Sequence, residues 1–186
     1  YLHWMPCCLL VLALTLPAAA NPAARIGTAA VVRGVVRAFP ELPRAAGRVV
    51  GSGQPVYAGD RIVTNDEGRL QILLLDGSIF TLGPNSSLVL DRYVYDPAKG
   101  KGELGAEAVK GVFRYISGKI AHDDPGAVRL KLPAGTLGIE GTEIMARLSE
   151  GGRTEVLLRS GRATLRTETA AFEIRRPGDA MVVIPG

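Results

Sequence analysis

Residues Leu70–Leu82 read LQILLLDGSIFTL, two apolar runs split by Asp76-Gly77. Asp-Gly between strand-like runs marks a β-hairpin. A two-residue type I′ turn needs positive φ at both central positions, and these two residues supply it at small cost. Such a turn sets Leu74 opposite Ile79, Leu73 opposite Phe80 and Ile72 opposite Thr81. One face then carries Ile72, Leu74, Ile79 and Thr81, the other Leu73, Leu75, Phe80 and Leu82. Both sets are mostly apolar, so the hairpin is expected to be covered on both sides, at the centre of the core.

The flanking sequence has the same character. Gly27–Ala38 reads as a strand, a break at Gly34 and a second strand, and Phe39–Val50 is an irregular excursion rich in Pro and Gly. Val56–Thr64 bends at Gly59-Asp60 and enters a strand. Ser87–Tyr95 is another strand, Asp96–Gly105 is the most loop-like stretch, and Val109–Ala121 resumes β character around Ser117-Gly118. His122–Gly126 is a turn. Val128–Leu132 alternates apolar and basic residues as a half-exposed strand does. Further short runs at Glu143–Leu148, Thr154–Arg159, Ala163–Arg166, Ala171–Arg175 and Ala180–Ile184 complete the pattern. No segment carries a sustained helical stripe with caps. The expected fold is all-β: a single domain of short, mostly antiparallel strands and hairpins, arranged as an elongated sandwich or roll. Gly59-Asp60-Arg61-Ile62-Val63 returns as Gly178-Asp179-Ala180-Met181-Val182, a weak internal repeat.

Composition bounds the function. The chain has 186 residues, 47% hydrophobic and 22% charged, with a formal net charge of +4 and its basic residues scattered. That suits a globular domain with an aliphatic core and argues against nucleic-acid binding. Residues 1–20 have no charge, a Leu-rich centre and an Ala-Ala-Ala end, the pattern of a signal peptide cleaved before Asn21. If the chain continues upstream, the same segment is long enough to span a membrane. Residues 21–25 are then a linker and residues 26–186 the domain. Export to the periplasm or medium follows, with no membrane span after cleavage. Both cysteines lie in residues 1–20, so the mature chain has no disulfide, thiolate site or Cys nucleophile.

Catalytic patterns are weak throughout. His122-Asp123-Asp124 offers one imidazole, whereas a zinc site wants three or four convergent ligands. No G-x-S-x-G elbow occurs. Gly135–Thr142, GTLGIEGT, is followed by a β-like run instead of a helix, so its glycines, Gly138 and Gly141 among them, read as turns or bulges and not as a phosphate cradle. Gly59, Asp60, Asp76, Gly77 and Gly178 are likewise structural turn positions. The expectation is a non-enzymatic protein without cofactor or metal. The candidate binding residues are Tyr93 and Tyr95, which share one face of a strand and suit either a protein partner or a sugar.

Taken in order, VYAGDRIVTNDEGRLQILLLDGSIFTLGPNSSLVLDRYVYD, GVFRYISGKI, LKLPAGTLGIEGTEI, VLLRSGRATL and RPGDAMVV resemble the FecR domain family of bacterial exported proteins, over roughly Ile26–Ile184. The position between Ile139 and Gly141 often carries Arg in that family and here is Glu140. If it contacts an acidic partner elsewhere, this chain would not. The resemblance implies interaction or sensing and no established reaction. The best-known relatives sense an outer-membrane receptor and signal to a sigma factor, through a cytoplasmic segment and a membrane span before the domain. Here a stand-alone envelope version is expected. It would bind an envelope protein, through an exposed sheet edge, or alternatively a cell-wall glycan.

Overall fold

The computed structural model describes residues 23–41 and 46–184. Residues 1–20, read as a signal peptide, lie outside the described residues. The strands are β1 (Arg25–Arg33), β2 (Val36–Phe39), β3 (Arg48–Val49), β4 (Pro55–Tyr57), β5 (Arg61–Thr64), β6 (Arg69–Leu74), β7 (Ile79–Leu82), β8 (Ser87–Asp96), β9 (Lys101–Ile116), β10 (Val128–Leu132), β11 (Gly135–Leu148), β12 (Thr154–Arg166), β13 (Ala171–Ile174) and β14 (Ala180–Val183). One short helix, α1 (Lys119–Asp123), stands where a β run was expected to end in a turn. β1 begins at Arg25, which pairs with Tyr57.

All described strands join one hydrogen-bonded sheet that doubles over into two layers. The first layer runs β3-β2-β5-β8, then the first half of β9, β10, the start of β11, the end of β12, and β13. The second runs β4-β1-β6-β7, then the ends of β9 and β11, the start of β12, and β14. Strands β9, β11 and β12 therefore belong to both layers and pass between them at Gly111, Gly141 and Gly161, each at positive φ. Pairing is antiparallel except between β9 and β10. Leu88, Ala108 and Leu130 of the first layer meet Phe80, Phe113, Tyr115 and Ile144 of the second, with the Phe80 and Tyr115 rings 4.7 Å apart. The result is an all-β, two-layer sandwich with a mostly aliphatic core.

The central hairpin differs from its expected form in two ways. Leu73 pairs with Ile79 and Ile72 with Phe80, one residue out of the type I′ register. The loop is Leu75-Asp76-Gly77, closed by Leu74 N–H donating to the Ser78 carbonyl (2.9 Å) and Gly77 N–H to the Leu74 carbonyl (3.0 Å). Gly77 alone has positive φ (84°), so Asp76 is not there for its backbone freedom. Its carboxylate is buried and accepts from Ser78 N–H (3.1 Å) and the Ser78 hydroxyl (2.7 Å). This register puts Leu70, Ile72, Leu74, Phe80 and Leu82 on the core face. The opposite face is uncovered: Leu73 is 46% and Leu75 58% exposed.

Two smaller readings also change. Residues Asp96–Gly105 are not all loop, because β9 begins at Lys101 and pairs with β8 and β10. Gly138 is not a turn but a mid-strand residue between Arg129 and Thr164. The Gly-Asp echo survives as local geometry. Gly59 N–H donates to the Leu90 carbonyl and Leu90 N–H to the Asp60 carbonyl; Gly178, Leu158 and Asp179 repeat the arrangement. The side chains diverge. Asp60 is buried in an ion pair with Arg48, which also lies 5.0 Å from the Tyr57 ring centroid, whereas Asp179 is at the surface.

Candidate interaction surface

Three stretches singled out in the sequence converge beside the hairpin tip. Gly118 N–H donates to Ser78 Oγ (3.0 Å), which also shares a hydrogen bond with the Tyr115 hydroxyl (3.1 Å). Lys119 N–H donates to the Asp76 carbonyl (2.9 Å). A Cβ on Gly118 would collide with Ser78 N and the Asp76 carbonyl, so the approach requires glycine. Ser117 N–H and hydroxyl both donate to the Thr142 carbonyl (2.9 Å each), and Thr142 N–H returns to Ser117 Oγ (2.7 Å). The Thr142 hydroxyl donates in turn to the Arg162 carbonyl (2.6 Å). An open groove runs over this junction, rimmed by Gly77, Lys119, His122, Glu143 and Ser160. No buried polar side-chain atom lacks a partner, and no three His, Cys, Asp or Glu converge on a metal position, among the described residues.

Of the three candidate residues, Tyr93 and Tyr95 are neighbours on β8, and Glu140 lies apart from them on β11. Tyr93 is half-buried against the core, and its hydroxyl accepts from Asp76 N–H (2.8 Å) while pointing at Asp76 Oδ1 (3.3 Å). Burial, then the Asp76 charge, pushes its pKa well above the usual phenol value, and burial does the same at Tyr115. Tyr93 is therefore a prop for the hairpin tip. Tyr95 is also half-buried, one pleat further along β8. Glu140 sits on the outer side of the first layer, 3.6 Å from Arg162.

The two outer faces of the sandwich differ. On the first layer, Glu103 holds Arg92 (3.0 Å) and Arg129 (3.4 Å), Glu107 holds Lys131 (3.2 Å), and Arg162 bridges Glu140 to Glu173 (3.3 Å). Such exposed pairs add little stability but leave this part of the face hydrophilic, while Phe39, Val63, Val89 and Val94 point outward on β2, β5 and β8. On the second layer, cross-strand neighbours Leu73, Ile79 and Ile116 make an apolar band. Leu75 extends it past the strand end, and Met145, Leu157, Val112 and Val182 continue it on β11, β12, β9 and β14. Ion pairs there use Glu143 for Arg114 and Arg159, and Glu155 for Arg147 and Arg153. Arg33 and Arg69 stand directly opposite each other with no carboxylate in ion-pair range among the described residues. Like charges in that position repel. Sequence reading missed this face because its leucines and valines are chemically the same as those of the core.

A family model described as FecR protein matches residues 60–164, more than half of the chain. The chain belongs to the FecR family. The matched stretch contains the hairpin tip, Ser117–Lys119 and Gly138–Thr142, the joints of this sandwich. Among solved structures, this FecR chain is similar to a candidate anti-sigma factor from Parabacteroides distasonis, at 14% identity and a TM-score of 0.53. The likeness covers 67% of this chain and 54% of that one and concerns the fold. No curated protein matches. No described helix is long and apolar enough to cross a membrane.

Proposed function

We propose that this FecR domain is a non-enzymatic protein-interaction and signal-sensing module of the bacterial cell envelope, acting outside the cytoplasm. Membership of a regulatory family and the fold likeness to a candidate anti-sigma factor support a role in signalling. The export pattern of residues 1–20 supports the location. The observation that carries the reading is the contrast between the two outer faces. A solvated sheet face alternates polar residues outward, as the first layer does over β10 to β12. The second layer instead presents contiguous apolar side chains, the mark of a docking surface. Arg33 and Arg69, without ion-pair partners among the described residues, and the excess of arginine over glutamate give the partner its chemistry: a protein surface that is apolar at its centre and carries carboxylates.

The test uses tagged full-length chain recovered from its own cell envelope, with N-terminal sequencing to check for a start at Asn21. A protein partner should co-purify with the native chain and with Arg129→Glu/Lys131→Glu. Its recovery should fall about tenfold or more with Leu73→Lys/Met145→Lys, since removing two half-buried apolar anchors costs about 2 kcal/mol. Recovery indifferent to the second-layer variant, or equal binding to phospholipid vesicles or purified wall glycan, contradicts the reading.

A further inference from the structure

The second layer ends on β14, and the geometry points to this edge as the place where the partner enters, as an extended strand added to β14. The inference rests on the protein-docking reading and specifies its form. Sheets discourage edge pairing with short strands, proline or charge. β3 has two residues, β4 has three and begins with Pro55, and β13 carries Glu173 in ion pairs with Arg162 and Arg175. β14, Ala-Met-Val-Val, is no longer than β13 but carries neither proline nor charge, and its register with β12 is unbroken.

The ladder between β12 and β14 starts with Leu158 N–H donating to the Asp179 carbonyl. Antiparallel alternation then turns the Met181 and Val183 amides toward β12 and the Ala180 and Val182 amides away from it. Among the described residues no strand meets that outward side. Val182 is 51% and Ile184 66% exposed. Beside them the layers part in an open cleft of about 880 Å³, lined by Leu132, Pro133, Phe172, Val183 and Ile184. An added strand directs every second side chain into this cleft, so those side chains are apolar. At the rim Lys131 is already held by Glu107, whereas Arg166 has no carboxylate in ion-pair range among the described residues. The occupant is therefore a stretch of the partner protein with apolar residues at alternate positions and an Asp or Glu that reaches Arg166.

The experiment selects a displayed library of random dodecapeptides on the full chain, then measures the enriched peptides by fluorescence anisotropy and hydrogen exchange. Enriched peptides should alternate apolar residues, include a carboxylate, and slow exchange at the Ala180 and Val182 amides. Val182→Pro removes an N–H that faces away from β12, a position where edge strands accept proline, and should weaken binding at least tenfold. N-methylating alternate amides of the peptide should do the same with the protein untouched. Arg166→Glu should shift selection toward Lys- or Arg-bearing peptides. Failure to enrich any peptide, enrichment without slowed exchange at β14, or binding unchanged by both Val182→Pro and N-methylation overturns the inference. So does slow exchange at Val182 in the free chain that speeds up on dilution, which would mean that a second copy fills the edge. If the envelope partner still binds Val182→Pro but not Leu73→Lys/Met145→Lys, the added strand is refuted while protein docking on the second layer stands.

Discussion

Replacing Ile72 and Leu73 with Ala, singly and each combined with Phe80→Ala, measures the hairpin register. The two neighbours are chemically alike, yet Ile72 is fully buried opposite Phe80 while Leu73 is 46% exposed on the other face. Truncating a fully buried Ile costs about 3 kcal/mol, including the cavity. Full burial of a Leu is worth about 2 kcal/mol, so half burial makes Leu73→Ala cost about 1 kcal/mol. In a domain of this size each kcal/mol moves Tm by about 2–4 °C. Thermal and urea unfolding should thus show a loss of about 6–12 °C for Ile72→Ala and about 2–4 °C for Leu73→Ala. The double-mutant cycle should give about 0.5 kcal/mol or more of coupling for Ile72–Phe80 and about zero for Leu73–Phe80. Equal losses, or coupling at Leu73 instead of Ile72, would restore the two-residue turn and refute the one-sided hairpin.

Gly118→Ala should destabilise by about 2 kcal/mol or more, because its Cβ has no room against Ser78 and Asp76; urea unfolding at neutral pH reads the loss. Arg48→Ala should cost a similar amount, since it leaves Asp60, 1% exposed, without its ion partner, and Arg48→Ala/Asp60→Ala should recover part of it. Tyr93 and Tyr115 have folded pKa values raised above the unfolded value of about 10. Their stabilisation is therefore complete below about pH 10 and lost as pH rises beyond it, because the unfolded chain releases the phenol protons first. Urea midpoints measured from pH 8 to 11 should fall above pH 10, and less steeply in Tyr115→Phe.

The sequence makes the strand pattern legible because glycine and Gly-Asp punctuation is local. Gly34 breaks β1 from β2, and Gly59-Asp60 and Gly178-Asp179 each open a strand as their spacing implies. The hairpin's position was equally plain, but not its register. That depends on what Asp76 and Ser78 bond to, and the partners come from Tyr93, 17 residues on, and Gly118, 40 residues beyond Ser78. No local rule contains those contacts. Tyr93 looked like a ligand platform because a strand face does not reveal which side meets the core. The apolar outer face of the second layer is hidden for a related reason. Met145 and Arg147 alternate with Ile144 and Ala146 on a strand that is half-buried, and which set points inward is decided by the opposing layer. The lysines of residues 96–105 suggested a loop, yet the last five residues are strand, because Lys101 pairs with Asp96 across a tight turn.

The central claim, that a protein docks on the second layer, is tested most directly by site-specific photo-crosslinking in the native envelope. A photoreactive residue is placed at Leu73 or Met145 on one face and at Arg129 or Lys131 on the other. The account predicts one discrete protein adduct, the same from Leu73 and Met145, and none from Arg129 or Lys131. Adducts confined to the first-layer positions, or lipid and glycan adducts alone at Leu73 and Met145, would contradict it.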